Sequence, residues 1–419
     1  MSRIAVVGSG ISGMTAAYLL SRKHEVVLLE KETRLGGHTH THIVDSSRGP
    51  LAVDTGFIVH NDRTYPNFTR LMEELGVERQ PSDMSFGVTD RATGLEYSSR
   101  GLNGLFATRG TIFSPRHYKL LREILRFNKI AVQFSDNPAS GPITLREYLQ
   151  THCFSQRFAD LYIYPMAAAV WSTSLQEIGS FPALALIRFF QNHGFFGYFG
   201  QPTWYTLKGG SSRYIEPLTR PYKSQIRLGI QIAGIRRTPI GVQIVCKDSS
   251  AETFDEVVFA CHAPQALALL EDASSIETDV LKTFQTTRNS VVLHTDSRLL
   301  PRRKAARASW NYLRDSSASS GPGAVTVTYD MNRLQRLQTA ETYCVTLNAN
   351  EAIHPQRILR KLEYAHPLYT LDAIRSQGRW AEISGSSHTH FCGAYWFNGF
   401  HEDGVNSAMR VARILGVEW

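Results

Sequence analysis

An α/β protein of two domains is the fold this sequence predicts, and three observations predict it. Residues 3–7 form a short apolar run, glycines follow, a helical pattern runs from Ile11 to about Arg22, and "EVVLLE" then completes a βαβ unit. The chain has 419 residues, more than the ~250 to 300 at which single cores usually stop growing. Strand character returns late, at residues 227–260, after a long helical and aromatic stretch.

Along the chain, "TYPNFTRLMEELGV" reads as a helix closed by Gly76, and "SPRHYKLLREILRFNKIAVQF" as a longer one with Pro115 in its first turn. From Ser180 to Tyr205 the sequence is unusually aromatic ("FFQNHGFFGYFGQPTWY"). "LGIQIAGI", "GVQIVCK" and "FDEVVFA" are strands separated by turn residues, and residues 315–323, "DSSASSGPG", read as a surface loop. The last segment, "FCGAYWFNGFHEDGVNSAMRVARIL", passes from a strand through a glycine-rich turn into a helix carrying Val405, Ala408, Met409, Ala412 and Leu415. No repeat of solenoid length is present.

Composition narrows the classes. Five cysteines without a CxxC pair give neither a disulfide framework nor a zinc ribbon. No apolar run approaches the ~18 residues that span a bilayer, and the first residues enter a strand without a charged leader, so a soluble, cytoplasmic protein is expected. The net charge of +8, with clusters such as "PRRKAAR" (301–307), points to an anionic partner, phosphates or an acidic membrane surface, with solvated faces as the competing reading; no nucleic-acid partner is expected.

Two stretches carry histidines at alternate positions: "RLGGHTHTH", with His38, His40 and His42, and "SSHTHF", with His388 and His390. In an extended segment three such side chains share a face and suggest a metal box. The competing reading is a strand on which Thr and His alternate as it leaves a cofactor loop, and no metal is expected.

Gly8, Gly10 and Gly13 form G-x-G-x-x-G between a strand and a helix, with Glu30 ending the next strand. The first glycine makes the tight turn, the second lets backbone reach a pyrophosphate, and the third allows close packing of the helix. The helix start at Ile11 and Ser12 offers N–H donors and a positive dipole end. An acid at Glu30 sits where ribose hydroxyls are accepted. This is a dinucleotide site.

After these residues, "KETRLGGHTHT" resembles the second fingerprint of the flavin-containing amine oxidase superfamily. The resemblance implies FAD, a discontinuous Rossmann-like FAD-binding domain and an α+β substrate domain. It assigns Arg34, Gly36 and Gly37 to the pyrophosphate and flavin side, Lys31 to the adenine side, and leaves His38 and Thr39 as the first residues to meet the flavin. "VDTGFIV" resembles the family's Asp-x-Gly segment, implying Gly56 and Phe57 near the flavin. "LKGGSSRYIEPL" resembles its Gly-Gly turn, and the hairpin that follows implies adenine contact at Ile232. In the closing segment the resemblance places Gly393 near the ribityl chain, although the acid that many members carry there is absent. It also gives Gly404, Val405 and Asn406 the role of backbone N–H donors.

"HNDRTYPNFTRLMEELGV", "YPMAAAVWSTS" and "GFHEDGVNSAMRVA" look more narrowly like bacterial NAD/FAD-binding proteins that accompany cyclopropane fatty acid synthases, and like the flavin domain of plant cyclopropane synthases. The implied domains are 1–80, 200–285 and 385–419 for FAD, and 81–199 and 286–384 for substrate. Amine oxidases of the superfamily typically add an aromatic sandwich and a lysine near the flavin. The lysines beside motifs here are Lys31 and Lys208, and neither fits that place.

His401 ranks first among catalytic candidates because its turn opens the helix expected to face the flavin. Trp396, behind Tyr395, is expected to wall the site. Tyr164 and the aromatic stretch are expected to line an apolar channel, and His60 and His366 sit in distinctive strings. The leading expectation is an FAD-dependent oxidoreductase acting on a fatty acyl chain of membrane lipid by desaturation or double-bond rearrangement. A flavin amine oxidase is the alternative, as is a non-catalytic flavoprotein partner of a lipid methyltransferase.

Overall fold

A computed structural model describes residues 1–136, 141–171, 175–197, 201–314 and 326–419; the loop expected at 315–323 lies outside them. Its organising element is a five-stranded, all-parallel sheet. The strands run in the order Ile226–Arg227, Glu25–Leu29, Arg3–Val7, Glu256–Phe259 and Thr389–Phe391. Parallel sheets are covered on both faces, so their strands read as continuous apolar runs rather than alternating ones. Ile4 to Val7 and Val26 to Leu29 are accordingly all buried.

The dinucleotide helix, Ile11–Leu20, is buried at every position except Tyr18, because the sheet lies on one side and the closing helix, His401–Ile414, on the other. Gly404 permits that crossing. A Cβ there would stand 2.6 Å from Ile11 Cγ2 and 2.8 Å from Ser12 Oγ. Phe68, Leu71 and Met72 of the helix Pro66–Glu74 join the same core, and Gly76, at φ +66°, ends that segment as expected.

A second, seven-stranded mixed sheet has the order Ile358–Leu368, Gln285–His294, Cys344–Leu347, Thr326–Asp330, Trp310–Arg314, Phe86–Asp90 and Leu95–Ser98. The helix Tyr164–Trp171 packs on it, and the helices Pro115–Asp136 and Ala183–Asn192 pack on each other beside it. These elements share a second buried cluster. Ala373, Trp380 and Ile383 pack with the first cluster, and Val44 and Val53 with the second. Ile374, next to Ala373, packs on the second cluster, so the helix Leu371–Gln377 touches both.

The alternating histidines do not share one face. The strand begins at Thr41, so His38 lies in a turn and only His40 and His42 bring their rings together, at 4.0 Å. His388 sits at φ +59° before the strand of His390, and both face Glu256, at 3.5 and 3.2 Å. Among the described residues no group of three His, Cys, Asp or Glu side chains is arranged to hold a metal ion.

Candidate active site

The two glycine motifs interlock. Gly8 turns at φ +107°, and a Cβ on Gly13 would overlap the Gly8 carbonyl oxygen. At Gly10, by contrast, a Cβ would meet nothing within 4 Å, which leaves open space at the helix start. The first backbone bond of that helix runs from Met14 N–H to the Gly10 carbonyl, so the amides before Met14 are left for a ligand. Gly36 N–H donates to the Ser9 carbonyl at 3.0 Å, and Gly37, at φ +57°, lies against the Gly10 backbone. Glu30 accepts from the Ser9 amide (2.8 Å) and hydroxyl (2.6 Å), and so braces the loop from beneath. Arg34 donates to the carbonyls of Leu35, Gly37 and Thr39. Ile232, half-buried, opens the strand that lies against this side, while Lys31 is exposed beside Glu32.

Next to the cradle His38, Cys261, His262 and His366 are half-buried. The His38 ring lies 5.2 Å from His366 and Tyr364 and 6.2 Å from His262, and its Nε2 has no hydrogen-bond partner among the described residues. Open space at Gly10, free helix-start amides and an unpartnered imidazole nitrogen fit a dinucleotide carrying a polar ring system.

His401 stacks on Phe57 with centroids 3.6 Å apart and planes 14° apart. Its Nε2 shares a hydrogen bond with Thr39 Oγ1 at 2.9 Å, and Thr39 bonds in turn to the Tyr214 hydroxyl. Burial lowers the His401 pKa to about 3. Burial thus favours the neutral ring, which the Thr39 hydrogen bond and the Phe57 stack hold in place. His60 lies beyond Phe57, buried among Tyr65, Phe68 and Tyr205; neither of its ring nitrogens has a partner, and burial lowers its pKa to about 4. Gly56 is required by packing, since a Cβ there would overlap the His38 carbonyl oxygen.

Several expected roles change. Gly404 N–H donates to the Phe400 carbonyl, so the free amides of the closing helix are those of His401, Glu402 and Asp403. Val405 is core, and Asn406 accepts from Asn67 through its side chain. Gly393 N–H donates to Ser407 Oγ at 2.9 Å. Glu402 accepts from the amides of Asn67 and Phe68, and so caps the helix Pro66–Glu74 from outside. Trp396 turns into the core against Phe284 and Tyr395 instead of walling the site. Tyr164 is tied to Arg146 at the far end of its helix, and Trp171, about two turns on, is the residue that meets Phe400. Trp171, Phe181, Phe189 and Phe400 form the aromatic wall, with Phe189 and Phe400 stacked at 4.8 Å. Tyr198 and Phe199 of the aromatic stretch lie outside the described residues. A cleft of about 480 Å³ opens beside this wall, between Arg63–Pro66, Gln191–His193 and the start of the closing helix.

Asp54, the acid of the Asp-x-Gly segment, is the hub of the assembly. Its carboxylate accepts from the Ser211 amide and hydroxyl, from Thr41 Oγ1 and from Gln335 Nε2, all within 3.0 Å. Asp54→Ala strands these buried donors, at about 1–3 kcal/mol each. It is expected to leave the protein insoluble or, when refolded, unable to retain cofactor; a soluble variant with an unchanged melting temperature contradicts this.

This arrangement, a dinucleotide cradle crossed by a second glycine pair and faced by an aromatic-walled substrate body, defines the class of FAD-dependent oxidoreductases. Residues 11–415 match the flavin containing amine oxidoreductase family. The chain belongs to that family, and its cofactor is FAD. Tryptophan 2-monooxygenase of Allorhizobium ampelinum is 28% identical over 182 residues, 42% of this chain but only 22% of that enzyme. In fold, cyclohexylamine oxidase from Brevibacterium oxydans superposes with a TM-score of 0.68 at 14% identity, with 99% of each chain covered. A fatty acid isomerase from P. acnes superposes with a TM-score of 0.70 at 15% identity, with 98% of each covered.

Proposed function

We propose that the protein oxidises or rearranges an apolar chain, a fatty acyl group of membrane lipid, by desaturation or double-bond movement. The observation that carries this reading is the distribution of charge. All ten lysines of the chain are exposed, and Lys208 pairs with Glu78 at the surface. The groups beside the Phe57–His401 stack are instead aromatic rings and imidazoles kept neutral by burial, His60, His193 and His401.

FAD, when bound, supplies two-electron redox chemistry. Phe189 and Phe400 hold an acyl chain through apolar contact. Thr39 and Tyr214 fix the His401 ring edge, while Arg63, Glu402 and Asp403 line the outer cleft beside the aromatic wall. The same reading gives the cofactor body residues 1–80, 200–285 and 385–419. A fatty acid isomerase on the shared fold supports an acyl substrate, and the local likeness to tryptophan 2-monooxygenase supports an amino-acid substrate as the second reading.

Anaerobic mixing of the FAD-loaded protein with unsaturated phospholipid decides between them. The expected result is recovered acyl chains with one more double bond, or with a moved one, by mass spectrometry. Flavin bleaching by tryptophan or cyclohexylamine, with lipid inert, overturns the proposal.

A further inference from the structure

Eleven large hydrophobic side chains are exposed among the described residues, and five of them fall in one short segment: Leu102, Ile112, Phe113, Tyr118 and Leu125. Phe113 is 87% exposed and Leu102 75%. Scattered apolar residues on a surface need no explanation, but a contiguous group does. The segment folds on itself. Tyr118 packs its ring on Phe106 and donates its hydroxyl to the Ile112 carbonyl, and Arg109 bonds Asn103 and the Phe106 carbonyl.

Charge surrounds this group with one sign. Between residues 100 and 130 the chain has seven Arg or Lys and a single acid, Glu123, which is turned to Ser155. Arg116, Lys119 and Arg122 are exposed on the helix Pro115–Asp136 and make no ion pair among the described residues. The turn Lys304–Ala306 packs against Gly101–Leu105, and so brings exposed Arg302 and Lys304 to the same side. The other face of the long helix, with Leu120, Ile124 and Phe127, is buried and packs on the helix that carries Phe189.

We infer that the face formed by Leu102, Phe113 and the basic side of the helix Pro115–Asp136 docks on an anionic lipid bilayer. Apolar tips inserted at the headgroup level, within a ring of Arg and Lys, match the amphipathic character of such a surface. A protein partner would require an acidic surface with apolar pockets, whereas a bilayer of anionic lipid offers both without further fit. The assignment stands independently of the substrate proposed above, since it concerns the outside of the fold.

Co-sedimentation of the full chain with vesicles tests it. Binding is expected to vesicles of phosphatidylcholine mixed with phosphatidylglycerol, weakening with salt, and not to phosphatidylcholine alone. Replacing Arg116, Lys119 and Arg122 together by Gln lowers partitioning on the order of a hundredfold. Phe113→Ser with Leu102→Ser lowers it at least about tenfold. Both variants keep the parent's flavin spectrum and melting temperature, because the replaced side chains are exposed. Equal binding by parent and variants overturns the assignment. So does a salt-insensitive preference for neutral vesicles, or a concentration-dependent dimer abolished by Phe113→Ser without any vesicle binding.

Discussion

Acidifying the apoprotein from neutral pH to about pH 4.5 lowers its unfolding free energy by several kcal/mol, enough to unfold a domain of ordinary stability. Burial holds His40, His60, His193, His294 and His366 at pKa values of about 4 and His401 at about 3. In the unfolded chain each takes a proton near pH 6.5, so the stability they contribute is present above that pH and is lost as pH falls toward 4. Two carboxyls act in the opposite sense. Burial raises Asp54 to about 6 and Asp403 to about 7, so the folded state binds two protons that the unfolded state releases down to about pH 4. Six imidazoles against two carboxyls leaves a net loss on acidification. Urea titrations across this range are expected to show a midpoint that falls with pH. His294→Gln, remote from the cofactor cradle, is expected to remove about one proton from the slope, and a midpoint that is flat or rises in acid contradicts the account.

Two neighbouring glycines are expected to fail in different ways. Gly13→Ala drives a methyl group into the Gly8 carbonyl oxygen, which belongs to a turn that cannot retreat because Ala260 stands behind it. Overpacking costs of about 1–3 kcal/mol are a lower bound for such a backbone collision, so little soluble protein is expected. Gly10→Val meets open space and keeps an extended backbone, at φ −65° and ψ 177°, that valine adopts freely. It should fold with the parent's apo melting temperature and lose FAD affinity on the order of a hundredfold. The absorption spectrum and the melting shift on adding FAD report both outcomes. A yellow Gly10→Val protein would move the cofactor away from the cradle.

What the sequence exposes is what backbone geometry demands locally. Gly8, Gly10, Gly13 and Glu30 could be read because turn, approach and packing act within one βαβ unit. Gly404 could be read as important but not for its reason, which is a helix crossing against Ile11 that only the folded chain brings about. Thr39 and Tyr214 are 175 residues apart, and Asp54 lies 281 from Gln335, so no periodicity links them. Asp54 had one signal, its place two residues before Gly56 in "VDTG". His401 was found by its position, but its neutrality is a property of burial. Aromatic identity marked Tyr164 and Trp396 for the interior without saying which interior.

The parallel sheet also has a history within each molecule. Two of its adjacent strands are complete by Leu29, yet the strand Thr389–Phe391 and the helix that seals the dinucleotide turn follow only about 360 residues later. At about 5–20 residues per second the open edge waits for tens of seconds. During that time apolar strands meant to be covered on both faces have no lasting neighbour. Translation that stops early yields an adhesive half-sheet rather than a weakened enzyme. Biogenesis of this fold is therefore all-or-none, and the nascent chain's demand for chaperones is set by topology more than by size.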